Sequence, residues 1–428
     1  MAIANFRWLA AGALLFCCLA GGAWAEDWPC WRGPRGDGSS AEKNVPTAWD
    51  GETGQNIVWK VAIPGTGHSS PIVSGERIIL VTCLTEGDQP QRLLMCLDRA
   101  SGRTLWQTPV VSAPLEKKHN LNSYASGTPA TDGRLIYCSF LQPDFGSQKE
   151  RTPGDLVVAA YDFDGRQKWL VRPGRFASVH GFCSSPVLWE NLVIVNGDHD
   201  GDAYIVALDS QTGQTVWKID RPNKTRSYVT PIIRNFGGRT QMILSGSKCV
   251  ASYDPRTGEQ HWIIDGPTEQ FVASIVDNGK LLFMTCGFPE RHMLAIDPTG
   301  QGNVTDTHVR WRTTKAASYV PSPIAIGDYF LVVSDTGVAT CFQAESGKPM
   351  WVERLGPHFS ASLISAGGLA YFLADDGTTT IVRPGETLDV VATNKLGEFC
   401  FASPAVSDGR IYLRSEKSLY CIGSVAAE

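Results

Sequence analysis

The sequence has no apolar run long enough for a transmembrane helix. The longest N-terminal stretch covers residues 8–20, against the roughly 20 residues that a spanning helix needs. Arg7 is the only charged residue before Glu26, and residues 23–25 form an A-x-A cleavage pattern. We therefore predict a signal peptide over residues 1–25, no transmembrane segment in the mature chain, and a periplasmic or secreted protein.

Long basic runs and common catalytic motifs are also missing. The formal net charge is −5, and it becomes −6 once Arg7 leaves with the leader, so we expect no nucleic-acid partner. The chain contains no G-x-S-x-G, H-E-x-x-H or C-x-x-C motif, which leaves no signature of a serine hydrolase, a zinc protease or a zinc finger. Whether the protein is an enzyme stays open, and a non-catalytic protein is favoured.

What the sequence does contain is a repeat. Its clearest copy runs over 207–217 and reads A-x-D-x-x-T-G-x-x-x-W. The small residue, Asp or Gln, Gly and Trp return in full copies that end at Trp106, Trp262 and Trp351, and in altered copies that end at Trp169 and Trp311. Asp and Gly suit a tight turn, and Trp supplies a large surface to bury between sheets. Each copy therefore predicts a hairpin whose first strand carries a small residue that leaves room for the indole.

A second hairpin precedes each copy and is marked by Ser-Pro or Thr-Pro. The eight copies begin at Ser70, Thr128, Ser185, Thr230, Ser274, Ser322, Ser362 and Ser403, of which Ser274 and Ser362 lack the proline. Proline is tolerated because it opens a strand. Four short antiparallel strands in roughly 40–50 residues match the period of a propeller blade.

The last unit ends near Ile422 without a fourth strand, and that strand is found at the other end of the chain. Residues 56–60 carry Trp59 in the tryptophan slot of the repeat. We predict an all-β, eight-bladed β-propeller over 55–424 whose N-terminal strand closes the last blade. An N-terminal extension over 26–54 precedes it, and a short tail over 425–428 follows it.

These motifs resemble the pyrroloquinoline quinone (PQQ) repeat superfamily, over residues 55–424. That superfamily includes quinoprotein alcohol dehydrogenases and the propeller lipoprotein of the outer-membrane barrel-assembly machinery. The segment 27–38 is similar to the start of secreted propellers of planctomycete type. The resemblance implies the fold and leaves the function open, because one propeller hosts unrelated tasks.

The dehydrogenase branch implies features that this sequence does not match. Its members hold the quinone against two adjacent, disulfide-linked cysteines and use a calcium ion and a catalytic aspartate. Adjacent cysteines occur here only as Cys17 and Cys18, inside the predicted leader. Neither cysteine follows the small residue that lipid attachment requires. We expect no cofactor, with PQQ and Ca²⁺ as the alternative.

Two groups of residues leave alternatives open. The run 198–202 alternates carboxylates around a glycine, which suits Ca²⁺ but also an ordinary turn, and we favour the turn. Ten of twelve cysteines lie beyond the leader. Three of them occupy the small position opposite the tryptophan and three others end apolar strands, so we expect most to be buried free thiols. A disulfide between Cys83 and Cys96 is the alternative.

Each blade also contributes an aromatic or histidine residue just before its first strand. The set is His68, Tyr124, His180, Tyr228, Phe271, Tyr319, Phe359 and Phe401. Core packing is one interpretation, and a ligand- or partner-binding surface at the channel mouth is the other. Connections on that face are long, mainly in blades 1–3, so we place a protein or small-ligand partner there, with no assigned catalytic residue and no metal ligand.

The sequence therefore predicts a non-catalytic, exported and monomeric propeller that serves as a protein- or ligand-binding scaffold, with envelope assembly as a candidate setting. The alternative is a PQQ-dependent oxidoreductase.

Overall fold

The computed structural model describes residues 26–87, 89–144 and 152–424. The predicted leader, the tail 425–428 and the middle of the connection 142–154 lie outside these ranges. The described residues contain strands and no helix that is long and apolar enough to cross a membrane. Eight antiparallel sheets confirm the eight-bladed β-propeller.

The first strand, β1 (Ile57–Ala62), belongs to the last blade, and blade 1 follows it in the chain. Blade 1 contains β2 (Ile72–Ser74), β3 (Arg77–Leu84), β4 (Gln91–Asp98) and β5 (Thr104–Ser112). Blade 2 contains β6 (Ala130–Thr131), β7 (Leu135–Pro143), β8 (Thr152–Asp162) and β9 (Gln167–Ser178). Blade 3 contains β10 (Val187–Trp189), β11 (Leu192–Gly197), β12 (Tyr204–Asp209) and β13 (Thr215–Asp220).

A short strand that belongs to the chain segment of blade 5 pairs with the sheet of blade 4. Blade 4 contains β14 (Ile232–Phe236), β15 (Arg239–Gly246), β16 (Cys249–Tyr253) and β17 (Gln260–Asp265). Blade 5 contains β18 (Val276–Asp277), β19 (Leu282–Cys286), β20 (His292–Ile296) and β22 (Val309–Thr313). The short β21 (Gly302–Asn303), inserted in the turn of blade 5, pairs in parallel with β17 and gives blade 4 a fifth strand.

The remaining blades follow the same order. Blade 6 contains β23 (Ile324–Ile326), β24 (Tyr329–Val333), β25 (Val338–Gln343) and β26 (Pro349–Arg354). Blade 7 contains β27 (Ile364–Ala366), β28 (Leu369–Leu373), β29 (Thr378–Arg383) and β30 (Asp389–Lys395). Blade 8 contains β31 (Ala405–Ser407), β32 (Arg410–Arg414) and β33 (Ser418–Ile422), and β1 pairs with β33 to complete it. Closure of the ring by the N-terminal strand is therefore confirmed.

The tryptophan of each repeat faces the small residue across its hairpin, as the motif predicts. The pairs are Trp59 with Cys421, Trp106 with Cys96, Trp169 with Ala160, Trp217 with Ala207, Trp262 with Ser252, Trp311 with Ala295, and Trp351 with Cys341. Blade 7 has Ala392 opposite Ile381 and no tryptophan.

Five of these tryptophans join one blade to the next. In each case the indole Nε1 donates to a backbone carbonyl in the turn of the following blade, at 2.8–3.1 Å; the donors are Trp59, Trp106, Trp169, Trp217 and Trp311. The turn glycine has a second role besides its positive φ, because the ring covers it. A Cβ placed on Gly102 would lie 2.8 Å from Cε3 of Trp59. Apolar residues of two or three successive blades then form each core cluster.

Candidate functional site

A ring of hydroxyl side chains encircles the propeller axis where the innermost strands begin. We call Ser70, Thr128, Ser185, Thr230, Ser274, Ser322, Ser362 and Ser403 the hydroxyl ring. At six junctions between successive blades, the backbone N–H of one member donates to the hydroxyl oxygen of the next at 2.9–3.4 Å. The hydroxyl residue of the Ser-Pro or Thr-Pro motif thus forms a contact between blades, in addition to marking the start of a strand. The prediction from the sequence had relied on the proline alone.

A buried guanidinium reinforces the junction between blades 8 and 1. Nη1 of Arg414 donates to the Ser69 carbonyl, to Oγ of Ser69 and to the Val81 carbonyl at 2.7–3.2 Å. The side chain is buried, and desolvation lowers the pKa of Arg414 to about 9. The two chain ends are therefore joined near the axis as well as at the perimeter.

A second ring lies directly above the first. It consists of the residue two positions before each hydroxyl: His68, Ser126, Cys183, Tyr228, Val272, Val320, Ser360 and Phe401. All eight of these residues line one cavity. In an extended segment, residues two apart point the same way, so each blade directs both its hydroxyl and its second-ring side chain toward the axis.

The cavity has a volume of about 410 Å³ and lies on the axis. Trp31, from the N-terminal extension, lies at one end of it, and its Nε1 donates to Oγ of Ser274 at 3.3 Å. At the other end is a rim that we define as His119, Leu121, Asn122, His180, Arg226, Gln270, Phe288 and Tyr319. Rim residues come from connections on the long-loop face, so the cavity is blind below and opens above.

The N-terminal extension covers the opposite face, where the tight turns lie. The Asp27 carboxylate accepts from the backbone N–H of Gly75, and the Glu42 carboxylate accepts from those of Asp408 and Gly409 at 2.6 Å. Farther along the same face, Asp37 pairs with Arg234 of blade 4 at 3.0 Å. Residues 27–42 of the extension thus occupy the tight-turn face, whereas Trp49 and Gly51 contact the end of β30, where the connection between blades 7 and 8 begins.

One side of the rim is built from the long connection between blades 1 and 2. Arg92 and Glu116 form a buried ion pair, and Arg92 also donates to the Ala113 carbonyl at 2.8 Å. Nδ2 of Asn122 then donates to the His180 carbonyl, in the connection between blades 2 and 3, at 2.8 Å. The connection is held at its root and at its tip, so the rim of blades 1–3 has a fixed shape.

The charges around the cavity are unbalanced. Burial lowers the pKa of His68 to about 4, and Arg414 lowers it further; burial also lowers the pKa of His180 to about 4, with Arg226 adding to that effect. Both imidazoles are therefore neutral at pH 7. Arg226 lines the cavity and donates through Nη1 to Asp200 at 2.7 Å. Among the described lining residues there is no carboxylate.

The eight residues singled out from the sequence fall into two groups. His68, His180, Tyr228, Tyr319 and Phe401 line the cavity. His68 and Phe401 lie with ring centroids 4.8 Å apart, and Oη of Tyr319 donates to Gln270 at 3.1 Å.

The other three members of the set point elsewhere. Phe271 and Phe359 are buried in the cores between blades. Tyr124 packs on the core between blades 1 and 2, under Nζ of Lys118. Sequence reasoning missed Trp31, His119, Arg226 and most of the second ring. An offset of two from each hydroxyl would have identified the second ring.

The carboxylates of the acidic run 198–202 form ion pairs with basic side chains. Asp198 pairs with Arg221 at 2.9 Å with both side chains buried, Asp200 pairs with Arg226, and Asp202 pairs with Lys224 at 2.5 Å. All three carboxylates therefore have cationic partners from the segment that follows β13, in keeping with an ordinary connection between strands.

The ten described cysteines are all free, and eight of them are buried. The alternative disulfide is wrong, because the register pairs Cys83 with Arg92 and Cys96 with Ile79. Burial raises the pKa of the Cys183 thiol, which lines the cavity, to about 12. It therefore carries no thiolate near neutral pH.

The cavity residues do not fit the quinone and calcium site that the resemblance implies. A hard cation such as Ca²⁺ needs several carboxylate or carbonyl oxygens, and the lining residues that the structure describes carry no carboxylate. Cys183 is its only cysteine, so no vicinal pair faces the axis. The polar groups of the described lining are instead hydroxyls, three imidazoles, two amides, one guanidinium, the indole N–H of Trp31 and the Cys183 thiol.

Comparison with protein families gives a match over most of the chain. The family model described as outer membrane protein assembly factor BamB matches residues 39–117 and 90–353. A search of curated proteins found no match.

Solved structures with the same fold come from both branches of the repeat superfamily. BamB from Moraxella catarrhalis is 13% identical with a TM-score of 0.60, and the match covers 86% of this chain and 99% of that one. Quinohemoprotein alcohol dehydrogenase from Comamonas testosteroni is 11% identical with a TM-score of 0.64, over 94% and 81%. A europium-containing methanol dehydrogenase is 12% identical with a TM-score of 0.60, over 93% and 98%. At these identities the likeness concerns the fold alone.

Proposed function

The chain belongs to the family described as outer membrane protein assembly factor BamB, and from this membership we propose that it is an exported, non-catalytic scaffold. It binds a partner through the long-loop face of the propeller. The family description and the predicted leader over 1–25 both support a place outside the cytoplasm, in envelope assembly.

One observation carries the choice of face. The N-terminal extension occupies the tight turns, while the long-loop face retains an open cavity and exposed apolar side chains. Phe288 and Phe399 are 50% and 59% exposed, and both lie in connections of this face. Exposed aromatic residues around a concavity are typical of protein-binding surfaces.

Within that face, the sector of blades 1–3 is the proposed contact surface. His68, His180 and Tyr228 lie at the cavity, and Tyr124 lies in the connection that builds the rim. The buried Arg92–Glu116 pair keeps that connection rigid, so a partner meets a preformed surface and binding requires little ordering of the chain.

The scaffold proposal is tested by site-specific cross-linking within one blade. A photoreactive residue replaces Phe288 on the long-loop face, and the control replaces Lys280, an exposed residue in the tight turn of the same blade. Envelope extracts from the native host should give a discrete adduct with the Phe288 probe alone. Adducts formed equally by both probes, or by the Lys280 probe alone, would contradict the assignment of the face.

The alternative, a PQQ-dependent oxidoreductase, is tested separately. Purified protein is titrated with PQQ and Ca²⁺ while the absorbance of the quinone and dye-linked alcohol oxidation are recorded. We expect neither a saturable spectral change nor turnover. Stoichiometric quinone binding with alcohol-dependent dye reduction would replace the scaffold proposal.

A further inference from the structure

The lining of the axial cavity is regular, which indicates a binding site. Every blade places a second-ring residue in it, and Trp31 closes its lower end. Its volume of about 410 Å³ lies at the small end of the ~300–1,000 Å³ range of ligand pockets. A site of this size takes a group of one or two rings.

Aromatic side chains give the cavity an apolar character on two sides. Tyr228 is buried, its Oη bonds to Ser178 Oγ at 3.2 Å, and its ring centroid lies 6.0 Å from that of His180. Phe401 lies on the other side against His68. Trp31 lies beneath both. Because aromatic rings pack well against offset and edge-on partners, these walls favour a planar, apolar group.

The polar groups favour a negative charge on the side of blades 1–4. Arg226 is the one formally charged lining residue, and its Nη1 is held by Asp200 while its buried Nε has no hydrogen-bond partner among the described residues. Behind the opposite wall, Arg414 is bound only to carbonyl and hydroxyl oxygens.

The carboxylates on the far side are already used. Asp335 accepts from the backbone N–H groups of Tyr319 and Val320, and Asp375 accepts from that of Ser360. Neither is a lining residue. A carboxylate that enters beside Arg226 therefore meets a guanidinium that Asp200 holds through Nη1 but whose buried Nε has no hydrogen-bond partner among the described residues, and no acidic side chain belongs to the described lining.

The apolar surface continues past the mouth of the cavity, which indicates an occupant longer than a small molecule. Phe288 is both a rim residue and half exposed, and Phe399 is exposed two residues before the second-ring Phe401. A free aromatic acid would leave Phe288 and Phe399 uncovered, whereas a polypeptide covers them with the residues that flank the inserted side chain.

We propose that the axial cavity receives an aromatic side chain of the partner polypeptide, with an adjacent carboxylate of that polypeptide placed at Arg226. The inference rests on the proposed scaffold function and names the feature that the long-loop face recognises. It assigns His180 and Tyr228 as walls of the pocket and Arg226 as its charge-reading residue.

The test uses the acetylated and amidated tetrapeptide Gly-Asp-Phe-Gly as the probe, with binding to the whole protein followed by calorimetry. Two matched probes replace Asp with Asn or Phe with Ala. We expect saturable binding of the first probe, at least five-fold weaker binding of the Asn probe, and no saturable binding of the Ala probe. Equal binding of the Asp and Asn probes, or no saturable binding of any probe, overturns the inference.

Two pairs of variants assign the binding to the cavity. Arg226→Gln should remove the preference for Asp over Asn, while Arg256→Gln, in the exposed tight turn of the same blade, should keep it. Val272→Trp fills the cavity and should abolish binding, while Val216→Trp, on an exposed outer strand, should not. Binding that survives Val272→Trp in a folded protein refutes the site.

A last arm separates the sources of the ligand chemistry. If N-acetylphenylalanine binds as tightly as the tetrapeptide, and Phe288→Ser weakens neither, the cavity serves a free aromatic acid and the polypeptide assignment is wrong. A Phe288 cross-link to a partner that persists in Val272→Trp would remove this inference and leave the scaffold proposal standing.

Discussion

Replacing Gly102 with alanine should reveal how closely the last blade docks on the first. Gly102 has a φ of +70°, and Trp59 of β1 covers it so tightly that a methyl group would lie 2.8 Å from Cε3 of the indole. Gly75 provides the control, since it has a φ of +52° and no atom within 4 Å of an added Cβ. Both substitutions incur the left-handed backbone strain, but only Gly102→Ala must also displace the indole.

The magnitudes separate the two cases. The strained φ costs about 1 kcal/mol for alanine, which is the whole expected loss for Gly75→Ala. Overpacking against Trp59 adds about 1–3 kcal/mol, and loss of the 3.1 Å bond from Trp59 Nε1 to the Arg99 carbonyl adds about 1 kcal/mol. Gly102→Ala should therefore lower the free energy of unfolding by about 3–5 kcal/mol.

A double-mutant cycle identifies the indole as the cause. Trp59→Ala alone should cost about 2–3 kcal/mol, below the value for a fully buried tryptophan because Trp59 is partly exposed. In that background the clash with the indole is gone while the contact with Cγ1 of Val61 at 2.8 Å remains, so the two losses should fall short of their sum by about 1 kcal/mol or more. Unfolding in denaturant, followed by tryptophan fluorescence, measures all four proteins. Additivity within about 0.5 kcal/mol, or equal losses for Gly102→Ala and Gly75→Ala, would refute the docking argument.

Three further outcomes follow from buried groups. Thiol titration should find few reactive cysteines in the folded mature protein and ten after denaturation without reductant; an absence of thiols after denaturation would mean that disulfides had been overlooked. The folded-state pKa values of His68 and His180, about 4, lie below the ordinary value of 6.5, so stability should be unaffected above pH 6.5 and should fall as the pH decreases from there toward 4. His68→Gln should flatten that fall in a series of melts, and an unchanged profile would show that His68 titrates normally. Glu116→Gln leaves Arg92 buried without its carboxylate and should cost about 3–5 kcal/mol in denaturant unfolding, whereas Asp389→Asn, in an exposed pair, should cost under about 1 kcal/mol; similar losses would contradict the burial.

The architecture followed from the sequence because its determinants are local and repeated. The small residue and the tryptophan that faces it recur in seven of the eight blades, so one hairpin explains most of the ring. The position of Trp59 then assigned β1 to blade 8, because that blade lacked a fourth strand and β1 was the strand without a blade. Neither step required knowledge of distant contacts.

The candidate site was only partly predictable, because direction alternates along an extended chain. His68, Tyr228 and Phe401 precede their ring hydroxyls by two residues and face the axis, whereas Phe271 and Phe359 precede theirs by three and face the core. Tyr319 also precedes by three and still reaches the cavity. Treating all offsets as equivalent therefore mixed two faces.

The residue at the closed end of the cavity could not be predicted from local sequence, for a different reason. Trp31 lies outside the repeat, and its partner Ser274 is 243 residues away in sequence. Its position depends on where the extension crosses the ring, which the contacts of Asp27 and Glu42 determine. No periodicity in the sequence reports such contacts.

The pairing of β1 with β33 in blade 8 determines when the propeller can close during synthesis. Ile57 pairs with Ile422, so β1 must wait for its partner until β33 has been added. Until then β1 has no partner, and the edge of every shortened product stays exposed to other chains. A ribosome that stalls in the final blade thus releases seven finished sheets without a closed molecule. A copy that ends before β33 therefore cannot close the ring.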